Sequence, residues 1–451
     1  MSNTVILGAG LAGLSYSYHL GHENCILFEK NKYAGGHIYS HQRDGFTWDE
    51  GPHVSFTNND YVRKLLADSI EGDYHEFECN VSNYYQGSWI PHPAQSNLFA
   101  VPQPKRSECL KDFLYSRDEA KRLLETPKNY GQWLECAFGK TFAQTFPFAY
   151  TRKYWTCDPA SLATDWVGNR VYYPDVETVL AGSEKAPERK THYISTVRYP
   201  KHGGFVSFAK KLIDGSKINL GYKVSLIDLK GKRVHFSNGE RCTFKKLIST
   251  LPLPEFINLN VDVPSDVSEA ALALRCSSLL LVNVTANHSS LKPYHWMYVY
   301  DKDMMSTRIN MIELLSANNC PDGRTGIQVE VYESAYQPFQ ISHSDVAQAV
   351  VKELQDIGLA KGKMTVHTQY VPYANVIFDH NRREAQDIIL SWLEQFGLAR
   401  EEQDLDPMTD WDSVKDNHYG DLILAGRFGQ WKYFWSDDCI MRGMTIAQGH
   451  N

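Results

Sequence analysis

Val5-Ile6-Leu7-Gly8-Ala9-Gly10-Leu11-Ala12-Gly13 opens the chain, and the acid Glu29 follows Gly10 by 19 residues. The stretch reads as strand, tight turn and helix, then a second strand, Cys25-Ile26-Leu27-Phe28, that ends at the acid. Gly8 permits the turn, Gly10 lets the backbone approach a pyrophosphate, and Gly13 lets the helix pack closely on the strand. The pyrophosphate would rest on the N-terminus of a helix from Ala9 to Leu20, where unpaired N–H groups point outward, with Leu11 and Ala12 among its contacts. Glu29, with Lys30 beside it, would accept hydrogen bonds from an adenosine ribose. A glycine triplet alone is weak. A triplet between strand and helix, with an acid at this distance, is a strong dinucleotide signal. The alternative is a glycine-rich turn with no ligand.

Outward from that turn, 451 residues suffice for two or three domains with a large core. Forty-six basic against 53 acidic residues give a net charge of −7, which does not suggest a nucleic-acid partner. The nine cysteines are scattered with no CxxC pair, as expected of reduced thiols in a cytoplasmic protein. No metal-ligand cluster stands out among the 17 histidines. The dinucleotide strand begins within the first five residues, so no leader is expected, and no apolar run is long enough to span a bilayer. The oligomeric state and a peripheral membrane contact stay open.

The chain then divides by pattern. Gly35-Gly36-His37 would bring backbone close to a ligand, and Asp49-Glu50-Gly51-Pro52-His53 follows. Asn58-Asn59 would cap a helix from Asp60 to Leu66. Residues 74–90 alternate like a hairpin turning near Gly87-Ser88, and 107–140 read as mostly helical. Residues 146–174 interleave Arg152, Lys153 and Arg170 with eight aromatic rings, which suits either core packing or a cleft wall for a flat anionic ligand. Residues 218–227 and 233–236 read as two strands joined by a turn. Four more strands are expected at 279–284, 296–300, 306–312 and 326–332, with helices at 342–356 and 382–396. Leu422-Ile423-Leu424-Ala425-Gly426-Arg427 reads as a last strand and glycine turn before a terminal helix from Asp438. The expected division is a discontinuous nucleotide-binding domain (1–75, 200–265 and 415–451), a helical aromatic cleft region (76–199), and a mostly β substrate domain with flanking helices (266–414). The fold class is α/β, α+β overall.

These features together resemble the FAD-dependent superfamily of amine oxidases, protoporphyrinogen oxidases and UDP-galactopyranose mutases. The resemblance rests on the Gly8–Gly13 turn, Glu29, Gly35-Gly36, Val224 in its strand and Gly426-Arg427. It implies a glutathione-reductase-like FAD-binding Rossmann fold with an interleaved, partly β-stranded substrate domain. FAD would be held non-covalently, the early motif serving its ADP half and Gly426-Arg427 the pyrophosphate and flavin end. Lys30, Gly36, His37 and Asp438 join the expected cofactor contacts. Within the superfamily the motifs are most similar to galactopyranose mutases. Gly51-Pro52-His53 keeps their first loop histidine, while Phe56 stands where they have a second. Ala149-Tyr150-Thr151-Arg152-Lys153-Tyr154-Trp155 and Ser306-Thr307-Arg308-Ile309 match their two diphosphate-arginine segments, and Tyr433 matches a substrate-contacting tyrosine. Phe434-Trp435-Ser436 departs from their tail.

The resemblance implies catalytic roles for His53, Arg152, Arg308 and Tyr433 on a nucleoside-diphosphate sugar. The reaction would be a redox-neutral isomerisation through a flavin N5–sugar adduct, with NAD(P)H as a transient reductant. Two guanidinium forks suit a diphosphate better than lysines do. Two alternatives stay open: hydride transfer from an amine or alcohol to flavin, and a flavin-binding protein without chemistry.

Overall fold

The computed structural model describes residues 4–123, 127–187, 196–287, 292–414 and 417–449. The ends of the expected nucleotide-binding segments, at 1–3, 415–416 and 450–451, lie outside the described residues.

The opening motif nucleates a five-stranded parallel sheet. Thr4–Leu7 lies at its centre, flanked by Cys25–Glu29 and Lys246–Ser249, with Ile218–Leu220 and Leu422–Leu424 at the edges. Val5, Ile6, Leu7, Leu27, Leu247 and Ile248 are buried, as in a sheet covered on both faces. The first helix, Leu11–Leu20, packs on this sheet and against the terminal helix, Ser436–Gln448. Gly13 and Gly443 permit these contacts. A methyl at Gly13 would overlap the Gly8 carbonyl oxygen, and one at Gly443 would lie 2.6 Å from Ala12 O. Asn59 caps Asp60–Ser69 by accepting from Val62 N at 3.1 Å.

The second unit is a seven-stranded sheet in the order Met364–Val376, Cys276–Ala286, Thr325–Glu333, Arg308–Met311, Trp296–Val299, Val81–Tyr85 and Ser88–Pro91. Its strands pair antiparallel, except that Trp296–Val299 runs parallel to Val81–Tyr85. Its apolar face buries Leu280, Val282, Val284, Ile327, Val329 and Val331 against helix His343–Asp356. Helices Lys105–Leu123, Tyr130–Phe138, Lys140–Thr145, Pro147–Tyr154 and Val176–Glu184 form the helical layer.

Three local expectations change. Residues 74–90 are not one hairpin. Tyr74–Glu78 pairs with Thr196–Pro200, and the hairpin Val81–Tyr85/Ser88–Pro91 extends the substrate sheet. The turn between them, Gln86-Gly87, has both φ angles positive, as tight hairpins favour. Residues 218–227 do not form one strand. Gly221, at φ +79°, ends Ile218–Leu220 in the parallel sheet, and Val224–Asp228 begins a separate antiparallel ribbon with Arg233–Phe236 and Arg241–Thr243. The 13-residue strand Met364–Val376 was not read from sequence. It carries Pro372, and proline is tolerated there because the strand is at the sheet edge.

Candidate active site

A single cavity of about 1180 Å³ runs from the glycine turn to the substrate sheet. Its size exceeds the usual range for one small ligand, about 300–1,000 Å³. At the dinucleotide end it is lined by Gly8, Gly10, Leu11, Ala12, Glu29 and Lys30. Gly8 has φ +97°, and a methyl there would strike the Thr250 hydroxyl. The helix that begins at Leu11 has no side-chain cap and no acid in its first turn. Its N-terminal N–H groups are thus left for a ligand anion. Glu29 is 5% exposed and already accepts from Ala9 N and Asn31 N, both at 2.9 Å. Those bonds fix the carboxylate at the cavity wall with lone pairs to spare. Gly36, His37 and Val224 line the same end. Gly36 lies against Gly10, where a methyl would come within 3.0 Å of the Gly10 Cα. Gly13 supports the turn from behind and does not line the cavity.

Gly426 brings the last strand onto the same helix N-terminus. Its φ is +83°, and a methyl there would stand 3.2 Å from the Ala12 side chain. Arg427 follows it into the cavity, with Nη2 donating to Asn375 Oδ1 at 3.0 Å and a buried Nε that has no partner. The glycine cradle, the open helix end and that orphaned donor fit a flavin dinucleotide.

The middle of the cavity holds His53. Its Nδ1 lies 2.9 Å from Gly51 O, so Nδ1 carries the proton and Nε2 is an acceptor. Burial pushes its pKa down to about 4, and the ring is neutral at pH 7. Glu50 next to it is 3.0 Å from His41 and 3.7 Å from His37. Burial opposes its charge, but the two imidazoles outweigh that and hold it down to about 2.

At the far end, Arg308 and Glu330 face each other across paired strands. Arg308 donates from Nε to Oε2 at 2.7 Å and from Nη2 to Oε1 at 2.6 Å. The Tyr332 hydroxyl donates to the same carboxylate at 2.9 Å. Burial works against the Arg308 charge, and Glu330 more than restores it. Tyr150, Tyr154, Tyr298 and Tyr433 complete an aromatic wall. Tyr150 and Tyr154 stack with centroids 5.4 Å apart, and Tyr154 packs on Tyr332 at 5.0 Å. Burial holds both hydroxyls protonated.

Besides Gly13, two expected site residues do not line the cavity. Arg152 does not line the cavity. It is half-exposed and pairs with Asp158 at 2.7 Å. On helix Pro147–Tyr154, Tyr150, Thr151 and Tyr154 face the cavity, which turns Arg152 away. Arg170 supplies a cavity guanidinium instead. It lies 3.5 Å over the Trp435 ring and donates to Tyr433 O and Asp438 Oδ2, each at 3.2 Å. Asp438 also does not line the cavity. Its oxygens accept from Trp435 N at 2.8 Å, capping the terminal helix, and from Trp411 Nε1 at 3.1 Å. Sequence reasoning missed Glu330, Tyr332 and Asn375. The first two were signalled by an acid and a tyrosine two residues apart, and hence on one face, flanking the apolar Val331 in that strand.

Among the described residues no cluster suited to a metal appears, and no helix is long and apolar enough to cross a membrane.

The comparisons agree with this geometry. A curated relative, the 1-hydroxycarotenoid 3,4-desaturase of Flavobacterium sp. (strain P99-3), is 31% identical over 108 residues, a stretch that spans 22% of each chain. Reduced UDP-galactopyranose mutase superposes with a TM-score of 0.86 at 23% identity, covering 98% of this chain and 92% of that one. A CLA-producing fatty acid isomerase from P. acnes gives 0.62 at 11% identity, with 98% and 97% covered. A putrescine oxidase redesigned in its cofactor binding gives 0.61 at 12%, with 99% and 98% covered. Such identities speak for the fold. The family model for flavin containing amine oxidoreductases matches residues 11–448. The chain therefore belongs to the flavin-containing amine oxidoreductase family and is an enzyme of that class.

Proposed function

We propose that this enzyme binds FAD non-covalently and isomerises a nucleoside-diphosphate sugar without net redox change, as a galactopyranose-mutase-like reaction. One observation carries the proposal. The cavity that holds the dinucleotide turn is also lined by two guanidiniums, Arg308 and Arg170, and by several tyrosines. Arg308 spends its Nε and one Nη on Glu330 and also bonds the Tyr298 hydroxyl, and its five N–H donors leave capacity for a ligand. Arg170 Nη1 is buried without a partner. Two such forks suit a diphosphate, whose charge spreads over several oxygens. Arg170 takes the place that the sequence reading gave to Arg152. The likeness to UDP-galactopyranose mutase supports the same class of substrate.

FAD, when bound, supplies the electron-rich centre at which the sugar reacts. The chain's residues do the rest. Arg308 and Arg170 hold the diphosphate, Tyr433 orients the sugar, and neutral His53 offers Nε2 as a proton acceptor beside it. The aromatic wall excludes water and strengthens each polar contact. NAD(P)H enters only as a transient reductant, with no stable site.

A second reading, hydride transfer from an amine or alcohol, is favoured by one fact. Both of those guanidiniums are ion-paired, to Glu330 and Asp438, so they add little net charge to the cavity. Titrating the reduced protein with UDP, GDP and dTDP by calorimetry separates the two. Binding of one nucleotide, lost in R308M, supports the sugar-nucleotide reading. No binding by any, with turnover of a simple amine, supports the oxidase.

A further inference from the structure

Asn375 sits where the two ends of the cavity meet. It is 4% exposed in the edge strand Met364–Val376 and lines the cavity. Its Oδ1 accepts from the Tyr154 hydroxyl at 2.8 Å and from Arg427 Nη2 at 3.0 Å. Tyr154 belongs to the aromatic wall, and Arg427 follows the glycine that rests on Ala12 at the helix N-terminus. One amide oxygen therefore ties the dinucleotide end to the substrate end.

The charges give this contact its meaning. Arg308 is offset by Glu330 and Arg170 by Asp438. Arg427 has no such partner: no described carboxylate pairs with it. It has a neutral amide, the ring faces of Phe428 and Tyr433, and an Nε buried without a partner. The residue is half-buried and its Nε is shut off from water, so that donor is left for a group other than solvent. We infer that Asn375 is a positioning residue: it aims the Arg427 guanidinium into the cavity without cancelling its charge, which is kept for an anionic group of the bound dinucleotide. This rests on the flavin dinucleotide occupying this cavity.

Aspartate at this position has nearly the same shape and a better acceptor, but it neutralises Arg427. Leucine removes both hydrogen bonds and leaves the charge. A purely architectural role makes leucine the more damaging change, and a charge-sparing role makes aspartate so. The test is titration of the flavin-stripped full chain with FAD, read by flavin fluorescence at several salt concentrations. Wild type binds. N375D should bind at least about tenfold more weakly, the scale of one charge-assisted hydrogen bond, with a flatter salt dependence. N375L should fall between the two. If N375L does not fold, the salt slope of N375D against wild type decides alone. N375D binding like wild type, with an unchanged salt slope, overturns the inference. Failure of the wild type itself to bind FAD overturns the flavin reading, and this inference with it.

Discussion

Replacing Arg308 with methionine should strand Glu330. The arginine side chain is 22% exposed and the glutamate only 1%, so the carboxylate depends on the pair rather than on water. After the change its one remaining side-chain partner is the Tyr332 hydroxyl. Breaking a buried pair from one side costs about 3–5 kcal/mol. Unfolding entropy of about 2.1 cal/mol/K per residue, over 451 residues, gives roughly 0.9 kcal/mol/K, so the Tm should fall by about 3–5 °C. Replacing both residues with methionine removes the stranded charge and should recover most of that loss. Calorimetry of wild type, both single variants and the double variant measures the coupling directly. The reasoning fails if R308M alone costs less than about 1 kcal/mol, the value for a water-screened surface pair, or if the double variant is no more stable than R308M.

Three further outcomes are expected. R152A should change stability by less than about 1 kcal/mol and leave nucleotide affinity intact, because its ion pair with Asp158 is half-exposed; a loss of binding in a calorimetric titration would return Arg152 to the site. G13A should lower stability by about 1–3 kcal/mol or more and weaken FAD binding together, since the added methyl meets the Gly8 carbonyl and stands 3.1 Å from Ile6 Cγ2; unchanged melting and unchanged flavin affinity would refute the packing role. The imidazole of His53 titrates near 4 when folded and near 6.5 when unfolded, so the unfolded chain binds the extra proton between those values. Stability from this group is therefore full above about pH 6.5 and is lost as pH falls toward about 4. H53Q should flatten that part of the stability–pH curve, and an unaltered curve in chemical denaturation would count against a buried neutral imidazole.

The dinucleotide half was legible because its signals are local. Gly8, Gly10 and Glu29 carry their meaning in their spacing, and the structure sets them on one cavity wall. The strands around 279–284 and 326–332 were legible through an apolar run and an alternating β-branched pattern, and they emerge as Cys276–Ala286 and Thr325–Glu333. The substrate end was harder because its residues meet only through pairing register and helix phase. Arg308 and Glu330 touch because two strands align them across the sheet. Arg152 points away because helix Pro147–Tyr154 presents Tyr150, Thr151 and Tyr154 to the cavity, while Arg170, outside that helix, lines it. Asp438 reads equally well as a ligand contact or a helix cap, and only its partners decide. The strand Met364–Val376, which delivers Asn375, was hidden by its proline and its polar alternation at a sheet edge.

The proposed chemistry on a sugar nucleotide involves no net redox change. The most direct measurement is turnover per electron pair under strict anaerobiosis. The flavin is reduced once with excess reductant removed, UDP-sugars are added, and product is counted by chromatography against flavin content. Many products per flavin from a single reduction is the expected result. Product capped at one per flavin, or formed only when an electron acceptor is added, would contradict it.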